Sequence, residues 1–134
     1  MSQHTVGMLL FNEVEVLDFA GPFEVFSLPA STETQGKYFS VYTISEHGTL
    51  ITARNGLKVQ PDFSFSHHPP FDILIIPGGY GAEEVEIDNK QVITWIQQQA
   101  TQVQIVASVC TGALLLAKAG LLDGITATTH WMDL

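Results

Sequence analysis

Short unbroken apolar runs alternate along this chain with stretches of helical spacing. Val6 to Phe11 is a compact apolar run, read as a buried first strand. Leu17-Asp18-Phe19-Ala20-Gly21-Pro22 then leads into Phe23-Glu24-Val25-Phe26-Ser27-Leu28, a helix in which Pro22 suits the first helical position. Tyr38 to Ser45 reads as a second strand. Thr49 to Ala53 and Leu57 to Gln60, separated by Arg54-Asn55-Gly56, read as a small hairpin. Asp72-Ile73-Leu74-Ile75-Ile76 is the clearest strand, and its four consecutive aliphatic residues imply burial on both faces, as in a parallel sheet. Pro77-Gly78-Gly79-Tyr80-Gly81 ends it. Asp88 is placed to cap a helix through Ala100, with Val92, Ile93, Ile96 and Ala100 on one face and Asn89, Lys90, Gln97 and Gln98 towards water. A last strand, Val103 to Val109, runs into the helix-like Thr111-Gly112-Ala113-Leu114-Leu115-Leu116-Ala117, and Gly120 or Gly124 punctuates its end.

Strands and helices in this alternation predict an α/β layered fold with a parallel central sheet. In such sheets ligands bind outside the carboxyl ends of the strands. Asp18, Gly78-Gly79 and Cys110 all follow strand ends, so the topology can bring them to one pocket. Cys110 is the single cysteine, and a thiol at a sharp strand-to-helix turn, flanked by small or polar Ser108, Thr111 and Gly112, has the setting of a nucleophile. Unpaired N–H groups at the start of the following helix are expected to favour its thiolate. A glycine pair can present N–H groups closely to a ligand, which suits an oxyanion hole, although Pro-Gly-Gly is also an ordinary turn. Asp18 reads either as a helix cap or, between apolar Leu17 and Phe19, as a partly buried carboxyl whose raised pKa fits a general acid.

Composition narrows the class. With 134 residues, 46% of them hydrophobic, the chain is sized for one core and one domain. Fourteen acidic against 5 basic residues give a net charge of -9, which disfavours direct contact with nucleic acid or an anionic membrane. A lone cysteine forms no internal disulfide and the first residues lack the basic flank of a secretory signal, so a reducing cytoplasm is expected. Ile105 to Ala117 is interrupted by polar residues and is shorter than the roughly 20 residues a bilayer requires, so no membrane span is expected. His67-His68 reads as a solvent-facing loop pair without metal partners, and no metal is expected. Trp95 reads as core and Glu24 as a first-turn complement to the helix dipole. Gly78-Gly79-Tyr80-Gly81 lacks the helix and Lys of a phosphate loop. His130 is a secondary candidate for the Cys110 pocket.

Together, Leu17-Asp18-Phe19-Ala20-Gly21-Pro22-Phe23-Glu24-Val25-Phe26, Asp72 to Gly79, Ser108-Val109-Cys110-Thr111-Gly112-Ala113, Ala119-Gly120-Leu121-Leu122-Asp123-Gly124 and Ala127-Thr128-Thr129-His130-Trp131 resemble the DJ-1/PfpI superfamily. The branch they most resemble is that of the isonitrile hydratases, followed by the amidotransferase-like domains of AraC-type regulators. The resemblance implies a flavodoxin-like three-layer sandwich, a cysteine nucleophile on a strained elbow, a small-molecule substrate, no cofactor and a homodimer. It implies Cys110 as nucleophile, Asp18 as essential acid, Thr111 as a substrate-region contact and Gly79, beside Gly78, as an amide that holds substrate. Members resembling proteases and glyoxalases carry a His directly after the nucleophile. Thr111 stands there instead, so a dyad of that type is not expected. Family members also continue beyond the Thr-Thr-His-Trp motif, so residues 1–134 are expected to form one domain whose C-terminal closing elements are missing, leaving a sheet edge that needs cover.

Overall fold

The computed structural model describes residues 3–33 and 36–133. Five parallel strands form its centre: β1 (His4–Leu9), β2 (Phe39–Ser45), β5 (Phe63–Ser64), β6 (Ile73–Ile76) and β7 (Ile105–Ser108), in the spatial order β5-β2-β1-β6-β7. The two most apolar runs lie side by side, with Val6 opposite Ile73 and Met8 opposite Ile75. Helices α1 (Val16–Ser27), α2 (Tyr80–Glu84), α3 (Lys90–Ala100) and α4 (Gly112–Lys118) flank the sheet, giving the expected α/β sandwich of flavodoxin type. Val6, Met8 and Leu9 of β1, Leu74, Ile75 and Ile76 of β6, and Ile96 and Leu115 from the helices are all buried in one core. As elsewhere, every such aliphatic side chain removed from water contributes about 1.5–3 kcal/mol.

Two strands are anchored at their ends by matching Thr–Asp pairs. Asp72 Oδ2 accepts from the Thr5 backbone N–H at 2.8 Å, and the Asp72 N–H returns a bond to Thr5 Oγ1 at 3.1 Å. Asp62 Oδ2 accepts from the Thr43 N–H at 2.9 Å, and its own N–H donates to Thr43 Oγ1 at 3.0 Å. The hairpin forms as β3 (Ile51–Thr52) and β4 (Lys58–Val59), shorter than its apolar run, around Asn55 and Gly56 with φ of 66° and 94°.

Several local expectations are corrected. Helix α1 begins at Val16, and Pro22 lies inside it rather than at its start. Lacking an N–H, Pro22 forfeits the bond to the Asp18 carbonyl four residues back. Asn89, not Asp88, caps α3: its side-chain oxygen accepts from the Gln91 N–H at 3.1 Å. The Asn89 amide also donates to Glu46 Oε1 at 2.8 Å and to Glu86 Oε2 at 3.0 Å, contacts that a carboxylate at this position cannot make. The buried face of α3 is Val92, Trp95, Ile96 and Gln99. His68 is half-buried rather than solvent-facing: it stacks on Phe71 and accepts from the Trp95 indole N–H at 3.3 Å.

Candidate functional site

Because β1, β6 and β7 run parallel, the segments that follow them meet at one edge of the sheet. The chain leaving β1 turns through Glu13 and Glu15 into α1, and the Glu15 N–H donates to the Gly78 carbonyl at 2.9 Å, tying this turn to the end of β6. Asp18 is the third residue of α1, so it is not the cap; that position is Glu15. Its side chain is turned inward, leaving the residue 8% exposed, and Oδ2 accepts from the Gly78 N–H at 3.1 Å. Burial holds the Asp18 carboxyl above the usual carboxylate range, the Gly78 N–H opposes that shift, and nearby Glu15 reinforces it. An acid poised in this way can hold a proton closer to neutral pH than an ordinary aspartate.

Gly78 has no room for a side chain: a Cβ there would lie 2.6 Å from the Thr111 nitrogen and 2.7 Å from that of Gly112. Gly79 has φ of 118°, a region that side chains disfavour. This close approach lets the Gly79 N–H donate to Thr111 Oγ1 at 2.9 Å. Both glycine amides singled out in the sequence are therefore engaged within the site, Gly78 on the acid and Gly79 on the threonine.

Cys110 follows β7 with φ of 51°, in the left-handed region rarely taken by a residue with a side chain. Such a conformation costs of order 1–3 kcal/mol and persists only where surrounding contacts hold it. Here Thr129 Oγ1 donates to the Cys110 carbonyl at 2.8 Å. The strained turn presents the residue to solvent. Even so, partial desolvation raises the Cys110 thiol above its ordinary range. The Thr111 N–H and hydroxyl pull it down, while the charges of Asp18 and Glu83 push it up. The expected bias towards thiolate is thus outweighed, first by desolvation of the sulfur and then by the nearby charges of Asp18 and Glu83. At neutral pH the Cys110 side chain therefore rests as a thiol.

Glu83, on α2, is the residue that sequence reasoning missed. Its carboxyl is half-buried and held above the usual carboxylate range, chiefly by burial and then by the charge of Asp133. The run Gly81-Ala82-Glu83-Glu84 offers no signal for this, since it depends on how α2 packs against α4. His130 is placed differently from Asp18 and Thr111: its ring is exposed and lies against Trp131. Among the described residues no group of His, Cys, Asp and Glu has an arrangement that could hold a metal ion. Nor is any described helix long and apolar enough to cross a membrane.

A buried carboxyl beside a cysteine on a strained turn can deliver and recover a proton while the sulfur forms and breaks a bond to carbon. Sequence and fold comparisons show which proteins the chain as a whole is similar to. The chain is 38% identical over 127 residues to isonitrile hydratase of Pseudomonas putida, an alignment covering 94% of this chain and 52% of that enzyme. It is 31% identical over 127 residues to the HTH-type transcriptional regulator GbdR of Pseudomonas aeruginosa, covering 95% of this chain and 34% of the regulator. The crystal structure of a ThiJ/PfpI family protein from Pseudomonas syringae superimposes with a TM-score of 0.78 at 26% identity, over 98% of this chain and 52% of that one. The chain thus spans about half the length, or less, of these relatives. The DJ-1/PfpI family profile matches residues 4–133, taking in Asp18, Gly78, Gly79, Cys110 and Thr111, and the chain belongs to that family.

Proposed function

We propose that this chain carries the nucleophile and acid of an isonitrile hydratase-like enzyme, which adds water to an isonitrile to give an N-substituted formamide. The observation that carries the reading is the pairing of Asp18, buried and held by the Gly78 N–H, with the strained Cys110. Cys110 sulfur forms a bond to the isonitrile carbon as Asp18 accepts the thiol proton and passes it to that same carbon, leaving a thioimidate. Water then adds to the thioimidate carbon with Asp18 as base. The nitrogen takes up a proton, the carbon–sulfur bond breaks, and formamide and free thiol are released. Thr111, buried and fixed by the Gly79 N–H, supports the turn that carries the sulfur. A thiol, a carboxyl group and fixed donors suffice for these steps, so no cofactor is invoked.

The 31% identity to a transcriptional regulator favours a second reading, in which the same pocket binds a small ligand without turnover. One experiment separates the two. Incubation with an alkyl isonitrile yields the N-alkyl formamide with the wild type and none with Cys110→Ala if the enzyme reading holds; saturable binding without product supports the sensor. We also assign a cytoplasmic homodimer, because Leu17, Val25 and Leu28 leave an apolar strip exposed on and just beyond α1. Sedimentation showing a monomer at all concentrations would remove the dimer.

A further inference from the structure

A second cavity lies beyond the carboxyl ends of β1 and β2, and none of Asp18, Gly78, Gly79, Cys110 or Thr111 borders it. Its volume is about 100 Å³, well above the roughly 10–15 Å³ that one water requires. Leu10, Phe11, Ile51, Phe65 and Val92 supply apolar walls, and Glu46, His47 and Glu86 supply the titratable groups. Glu86, on the turn between α2 and α3, is only 9% exposed. Its Oε2 accepts from the Asn89 amide at 3.0 Å, whereas no described residue donates to its Oε1. A buried carboxylate oxygen without a donor is costly, so this one calls for a partner in the space it borders. The same Asn89 amide donates to Glu46 Oε1 at 2.8 Å, which spends both of its N–H groups and holds the two carboxyls side by side. The Phe65 N–H donates to the Glu46 carbonyl at 3.3 Å, fixing an apolar wall next to the acidic one.

What fills such a space must bring donors and positive charge. Among the described residues no Lys or Arg lines the cavity, and His47 is 76% exposed, 3.5 Å from Glu46 Oε2. An anion is therefore disfavoured. A hard divalent cation takes six or more oxygens, and no grouping of described acidic residues and histidines could hold a metal ion. An ammonium group is satisfied by two or three acceptors, and a hydrocarbon attached to it displaces water from the apolar walls. We propose that this cavity binds a primary alkylammonium of a few carbon atoms, with its nitrogen on Glu86 Oε1 and Glu46 and its hydrocarbon against Leu10, Phe65 and Val92. The charge of such an occupant also answers the cost of burial. Desolvation holds the Glu86 carboxyl above the usual carboxylate range, Asn89 opposes that shift, and Glu46 reinforces it.

The inference is independent of the chemistry at Cys110. Its test follows the backbone amide resonances of the chain by NMR during titration with n-propylammonium chloride, at about pH 8, where ordinary carboxyls are ionised. Saturable shifts centred on Glu46, Phe65, Glu86 and Val92 are expected, with a Kd of about 1 mM, since so small a ligand has few atoms with which to bind. The neutral 1-propanol, with the same hydrocarbon, and the oppositely charged propionate are expected to bind roughly tenfold more weakly or worse. Glu86→Gln keeps an oxygen for the Asn89 amide but removes the charge, and is expected to weaken the ammonium by a similar factor. Propanol binding as tightly as the ammonium overturns the proposal, as do shifts centred on Asp18 or Cys110, no saturable shift well above that Kd, or an affinity that Glu86→Gln leaves unchanged. A circular dichroism spectrum matching the wild type establishes that the variant is folded; should it not be, Glu46→Gln, which removes the other carboxylate, is read in its place against the same outcomes.

Discussion

Thr129 donates from its hydroxyl to the carbonyl oxygen of Cys110 at 2.8 Å, across the turn that joins β7 to α4. A residue far along the chain thereby restrains the backbone of Cys110 in its left-handed conformation. Thr129→Val keeps the shape and removes the donor, so it is expected to cost about 1 kcal/mol of stability. Alkylation and turnover should fall severalfold together, because the turn then spends time in conformations that withdraw the sulfur. Urea unfolding alongside iodoacetamide kinetics checks this, and unchanged kinetics would show that the turn holds itself.

Asp18→Asn separates chemistry from architecture. The Asn side-chain oxygen can still accept from Gly78, and a neutral group suits a site that already disfavours charge, so stability at neutral pH should be maintained or raised. Turnover of an isonitrile should fall roughly a hundredfold or more, because the transferable proton is gone. Wild-type turnover in this variant would remove Asp18 from the reaction.

Asn89→Asp should be far more harmful than its size suggests. Asp caps a helix as well as Asn does, so the α3 cap survives. The donor amide is lost, however, and a third carboxylate is set against Glu46 and Glu86. A loss of about 1–3 kcal/mol at neutral pH is expected, smaller in acid where the carboxyls are protonated. Thermal melts at two pH values test it; an equal loss at both would show that repulsion is not the cause.

Stability should also rise on mild acidification of the wild type. Asp18, Glu83 and Glu86 are all held above the ordinary carboxylate range, mainly by burial. For a carboxyl raised in the folded state, the folded chain binds protons more readily than the unfolded one. Its stabilising contribution is complete below the unfolded pKa and is lost as pH rises through the higher folded value. The melting temperature is therefore expected to climb as pH falls from neutral towards about 5. Glu86→Gln should flatten that slope, and a melting temperature that falls over the same window contradicts the assignment.

Strands whose residues declare themselves by composition were legible in the sequence: Ile73–Ile76 could only be a buried strand, and Asn55-Gly56 announces its turn by tolerating positive φ. The placing of Asp18 and Cys110 at strand ends was legible because parallel order dictates it. What escaped depends on contacts between distant segments. Pro22 favours a helix start, yet α1 had already begun where β1 and the Gly78 loop meet. Asn89 outdoes Asp88 as a cap because Glu46 and Glu86, brought in from elsewhere, need its amide. Glu83 comes near Cys110 only because α2 packs against α4. Local propensity carries no record of such pairings.

The order β1-β6-β7 has a consequence in time as well as in space. Strand β7 reaches the rest of the sheet through β6, and β6 pairs with β1, so bringing Asp18 and Cys110 to one place rests on two pairings between separate parts of the chain. Pairings of that kind are slow to form, because the loop between the partners must close before any contact rewards it. The surroundings of Cys110 are therefore expected to be complete only once both pairings have formed. Partly folded molecules would carry an ordinary cysteine, without Asp18, Thr111 or Thr129 around it, and the time at which Cys110 acquires its distinctive reactivity marks the completion of the sheet.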